Sequence, residues 1–153
     1  MSYHPGSAAP APRSRAPRAG LLGEIHCAPG QAPHRLHIHL VDTQARLHRL
    51  IADWHGEPPS PDVQACCCLE PATSAPFLGW LVFSRQHLTL RHVVHEVTHA
   101  AAAFVLEHVR ESETCRAMPA EELDDYLDEA LATTVETLFA QSVAHLFPGI
   151  TGL

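Results

Sequence analysis

Residues 95–99 read His95-Glu96-Val97-Thr98-His99, two histidines four apart with a carboxylate beside the first. On a helix, side chains four apart lie one above the other, so both imidazoles can address a single cation. That His-Glu-x-x-His spacing suits zinc, which takes neutral imidazole nitrogens readily. Glu96, one residue further round, is then placed to accept a proton from water, the task of a general base in hydrolysis. The chemistry requires a helix here and a third protein ligand from elsewhere, because catalytic zinc sites use three and keep a fourth position open.

The flanking sequence meets the first requirement. Leu88-Thr89-Leu90-Arg91-His92-Val93-Val94 leads in and Ala100-Ala101-Ala102-Ala103-Phe104-Val105-Leu106 leads out, a run with the length and apolar content of a buried helix. Val93, Val94 and Val97 are weak helix formers, but the four alanines and the lack of Gly or Pro over residues 78–109, Gly79 apart, favour one long helix.

A second helix must bring the third ligand. Pro119 suits a first helical turn, and apolar periodicity runs from Leu123 to Leu146 before Pro148-Gly149 stops it. Glu122, Asp125, Glu129 and Glu136 share one face of that helix with the small residues Ala132, Thr133 and Ala140. Glu129 is the preferred ligand, since it precedes a short-side-chain run suited to packing on Ala100 to Ala103. His145 is its rival. Tyr126 is the candidate hydrogen-bond donor for a developing oxyanion, with His92 as the other choice.

Upstream, Leu21 to Cys27 reads as a strand. Arg35 to Val41 alternates cleanly, with Leu36, Ile38 and Leu40 on one face and His37 and His39 on the other, expected to be exposed. Asp42 or Thr43 offers an N-cap to a helix carrying Leu47, Leu50, Ile51 and Trp54, which Gly56 and the prolines at 58, 59 and 61 end. Val63 to Leu69 and Phe77 to Phe83 are two further strands, and Arg110 to Met118 reads as a polar loop. The expected class is α+β: a small sheet of about four strands, one short helix and two long C-terminal helices.

At 153 residues the chain has the length of one domain, read here as residues 21–153 behind a leader, 1–20, too poor in large aliphatics to order. All ten basic residues are Arg, and three of them lie in that leader. The remainder sets seven Arg against all seventeen acids, a formal charge of about −10 that argues against a nucleic-acid surface. No secretory signal and no eighteen-residue apolar run is visible, which points to a cytoplasmic protein without a membrane partner. Five cysteines, an odd number without zinc-knuckle spacing, fit reduced thiols. Cys66-Cys67-Cys68 cannot converge on one metal, because consecutive strand residues point to opposite faces. His34, His37 and His39 offer at most an accessory metal patch. No phosphate-cradling glycine loop and no Gly-x-Ser-x-Gly elbow is present.

His95-Glu96-Val97-Thr98-His99-Ala100 in a strand-to-helix unit, followed about thirty residues on by Asp128-Glu129-Ala130 in a helix, resembles small bacterial and phage zinc metallopeptidase-like proteins of the gluzincin type. The resemblance covers residues 77–145. It implies a zincin-like fold, a Zn2+ cofactor held by His95, His99 and Glu129, and hydrolysis of peptide bonds in a peptide or protein substrate with Glu96 as general base. It also implies an Asp four residues after the ligand Glu, where this chain has Thr133. That departure keeps a second expectation in play, a zinc-binding adaptor or regulator of the same fold without turnover. A third is a metal-free interaction module whose acidic helix docks a basic partner.

Overall fold

The computed structural model describes residues 20–27, 34–71 and 74–149. The 1–20 leader, Gly20 apart, lies outside the described residues. Four strands form one mixed sheet: β1 (Leu21–His26), β2 (Arg35–Val41), β3 (Ala65–Leu69) and β4 (Phe77–Ser84), in the order β1-β2-β4-β3. β1 pairs antiparallel with β2, β2 runs parallel to β4, and β3 returns antiparallel along the outer side of β4. The connection from β2 to β4 passes through α1 (Gln44–His55) and β3. Thr43 caps α1 by accepting from the Arg46 N–H, and Gly56, at φ +82°, closes it in a left-handed turn.

The two sheet faces carry separate cores. Leu36, Ile38, Leu81 and Phe83 point to one face, under α2 (Leu90–Phe104) and α4 (Ala120–Leu146). Val41, Trp80 and Val82 point to the other, where α1 lays Leu47, Leu50 and Ile51 over them. Trp54 of α1 stacks on Trp80, with ring centroids 4.7 Å apart. His39 is therefore fully buried beneath α1, beside Trp54, rather than exposed as its alternation suggested. The alternation in β2 was legible; the helix that covers its second face was not. His34 sits apart, its ring 4.4 Å from that of His108, so it forms no patch with His37 and His39.

α2 lies over β3 and β4, while α4 lies over β1 and packs along α2. Gln141 fixes α4 to β1: its carbonyl accepts from the His26 N–H at 3.0 Å and its amide donates to the His26 carbonyl at 2.8 Å. Replacing Gln141 by Leu leaves both backbone groups without their partner. The expected loss is about 1–3 kcal/mol, read as a lower urea midpoint at unchanged m; an unchanged midpoint would remove this bridge from what holds α4.

Two elements differ from the sequence expectation. The polar stretch 110–118 contains a short helix, α3 (Glu113–Ala117), whose Ser112 caps it by accepting from the Cys115 N–H. Within the run expected as one long helix, the winding widens after Phe104 into a looser turn over Val105–Val109, where the Arg110 N–H reaches back to the Val105 carbonyl.

Candidate functional site

Thr89 starts the motif helix, accepting from the His92 N–H. Val93, Val97, Ala100, Ala101 and Phe104 then fill its inner face. That phase turns His95 and His99 outward, and both are exposed. Their Nε2 atoms stand 3.2 Å apart with the rings nearly perpendicular, at 84°. Two nitrogens each about 2.0–2.1 Å from one tetrahedral zinc are separated by about 3.3–3.4 Å. The pair already has that bite, so the donor set present fits a zinc ion as two of its ligands.

Glu96 occupies the flank between inner and outer faces and is only 7 % exposed. Its carboxylate accepts from the Cys67 N–H of β3. Burial pushes its pKa above the ordinary carboxylate range, against the opposing pull of His95, the Cys67 N–H, His99 and His92. A buried carboxyl that holds its proton more tightly than usual, next to two imidazoles, can act as a general base.

His92 is pinned at the mouth of the same surface, a shallow open depression that it shares with Arg91, Val94, His95, Thr98 and His99. Its Nδ1 donates to the His87 carbonyl at 2.7 Å. In the neutral ring Nε2 then carries a lone pair, so His92 can donate to an oxyanion only when protonated. Tyr126 lies on α4 at 40 % exposure.

The remaining sequence candidates are placed elsewhere. α4 turns Leu127, Ala130, Leu131, Thr134 and Leu138 toward the core. Glu122, Asp125, Glu129 and Glu136, which do share a face, are exposed on the opposite side together with Ala132, Thr133 and Ala140. Glu129 Oε1 accepts from the Thr133 hydroxyl at 3.5 Å. His145 packs over β1, with its ring 2.6 Å from where a Cβ on Gly23 would stand. Among the described residues no group of three His, Cys, Asp or Glu stands together as a metal site. His95, Glu96 and His99 thus stand within one turn of α2, while Glu129 and Tyr126 stand exposed on α4.

One neighbour of the site carries no signal in the sequence. The backbone of Cys67, presented by β3 across from α2, is the partner that holds Glu96. No spacing rule signals it, since it depends on β3 lying at the edge of the sheet.

Comparison with protein-family models, curated proteins and solved structures finds no significant match to this chain.

Proposed function

We propose that this chain is a zinc-dependent metallopeptidase of zincin-like fold, with His95 and His99 as metal ligands and Glu96 as general base. The single observation that carries the reading is the 3.2 Å separation of the two Nε2 atoms, one helical turn apart and beside a buried carboxylate. A bound zinc supplies a Lewis acid that acidifies water and polarises a scissile carbonyl. Glu96 takes the proton of the attacking water and delivers it to the leaving amine, which its raised pKa favours. The Cys67 N–H keeps the carboxylate oriented on its flank of α2. The third ligand assigned by resemblance is Glu129, and reaching the histidine pair requires α4 to present its outer face there. Five cysteines outside any disulfide suit a reducing compartment, so a cytoplasmic setting belongs to the same proposal. Among the described residues no helix is long and apolar enough to cross a membrane.

The expected result is one zinc per chain after metal loading, with His95→Ala weakening zinc affinity by more than about 100-fold. Alanine at Glu122, Glu129, Glu136 or His145, each assayed for bound zinc, identifies the third ligand; retention in all four removes Glu129 from the proposal. Wild type that binds zinc no better than His95→Ala sinks the metal reading altogether.

A specific observation favours the second reading, a zinc-binding adaptor or regulator. Thr133 stands where the resemblance expects an Asp to orient a ligand histidine, and its hydroxyl is turned to Glu129 instead. Zinc at one per chain without cleavage across a peptide library would decide for that reading.

A further inference from the structure

Cys66 and Cys68 share the α1 side of β3, with Sγ atoms 3.4 Å apart. Cys67 points to the opposite face, against the core beneath α2. We infer that Cys66 and Cys68 are a peroxide-oxidisable dithiol, whose closure to a disulfide bends β3 at Cys67 and loosens the hold of its N–H on Glu96. The inference needs no metal at His95 and His99.

The pair divides into an entry thiol and a resolving thiol. Cys66 is partly exposed, while Cys68 is 2 % exposed beneath it. The hydrogen bond between them lowers the Cys66 pKa and raises that of Cys68, so Cys66 is the first to reach the reactive thiolate. Burial pushes Cys67 and Cys27 up to about 12, which keeps them inert. The Cys66 thiolate attacks one oxygen of hydrogen peroxide and the O–O bond breaks, giving a sulfenic acid and a hydroxide that becomes water with the proton Cys66 released on ionising. The Cys68 sulfur then attacks the Cys66 sulfur and expels the hydroxyl, which leaves as water with the Cys68 proton. Two thiols lose two electrons to one peroxide, and two waters form.

The geometry makes closure consequential. Alternate residues of an extended strand are about 6.4–6.8 Å apart, at the upper end of the Cα separation a disulfide spans. Bridging them pinches the strand at the residue between. Among the described residues β3 is an edge strand with one paired neighbour, β4, so it can bend where an inner strand could not. A bond formed under such strain is readily reduced, which makes the step reversible.

The test uses the full reduced chain, titrated with hydrogen peroxide and then alkylated in denaturant. The chain has no Lys, and no Arg lies between Arg49 and Arg85, so the tryptic fragment 50–85 carries these three cysteines and no others. At one equivalent the fragment is expected to lose about 2 Da and take up one alkyl group, at Cys67, with all three sites restored by dithiothreitol. Cys67→Ser retains closure, whereas Cys68→Ser stops at a sulfenic acid that dimedone traps. In the oxidised wild type the Cys67 amide is expected to exchange hydrogen at least about tenfold faster. Three alkylated cysteines after ten equivalents, a sulfinic acid at Cys66 beside free Cys68, or an interchain bridge would each overturn the dithiol. Closure with unchanged Cys67 exchange would overturn the link to Glu96.

Discussion

Replacing Glu96 by Gln is expected to lower kcat on any peptide the wild type cleaves by about 10²–10⁴-fold while zinc stays bound. The amide is nearly isosteric, and its oxygen still accepts from the Cys67 N–H, so the flank of α2 against β3 is preserved. What disappears is the ability to take a proton. Turnover at the wild-type rate would remove Glu96 from its assigned role, since removing a base cannot leave a base-catalysed step untouched. Stability moves in the other direction. Burial raises the folded-state pKa of Glu96 above its unfolded value, so the wild type binds this proton more tightly when folded. That stabilising contribution is present below the ordinary carboxylate range and is lost as pH rises through the raised folded-state pKa. Metal-free Glu96→Gln lacks this fall. Its advantage over wild type in thermal unfolding is therefore expected to grow between acid and neutral pH, and parallel melting curves across that window would refute the burial account.

The largest effect on folding is expected at Gly79. It holds φ +135° within β4, opposite the register shift between Arg35 and Leu36 of β2. A Cβ built there falls inside van der Waals contact with the Cys68 carbonyl oxygen of β3, a backbone atom that cannot rotate away. The irregularity also resets which side chains face which core. Phe77 packs with the α1 layer and Leu78 with the α2 layer, after which Trp80 and Val82 return to the first and Leu81 and Phe83 to the second. Gly79→Ala meets both the strained backbone and the clash, and is expected to lose about 3 kcal/mol or more, a fall in Tm of about 10 °C. A melting temperature within about 2 °C of wild type would show that β4 tolerates a side chain there.

Much of this architecture is legible in local pattern. Arg35–Val41 is a strand with the expected bounds because its alternation is strict, and α1 starts after Thr43 because a hydroxyl cap announces it. The expectation of three more strands and two long C-terminal helices holds, with ends shifted by a residue or two. Pairing is what periodicity cannot supply. Nothing in Phe77–Ser84 says that it lies between β2 and β3, and nothing in Arg35–Val41 says that α1 lies over its second face and buries His39. α3 hides in a polar stretch because five residues are too few to show a period, although Ser112 three residues before Cys115 is a cap signal.

The site divides in the same way. His95 and His99 come together because helical spacing alone decides it. Glu129 depended on which side of α4 meets α2, and the wheel contains that answer. The acids lie opposite Leu127, Leu131 and Leu138, and the apolar side takes the core. Small residues among the acids suggested close approach, but a helix docks by the surface it must remove from water.

The open margin of the sheet carries a different consequence. An unpaired strand edge is a template on which other chains stack, and long hydrophobic ones seed amyloid. β3 is five residues long and ends in the exposed Leu69, yet a backbone donor near its middle is occupied by the anionic head of Glu96. An incoming chain must displace and desolvate that charge to register along the strand. The carboxyl that lies on the flank of α2 thereby also hinders a further strand from pairing along this edge.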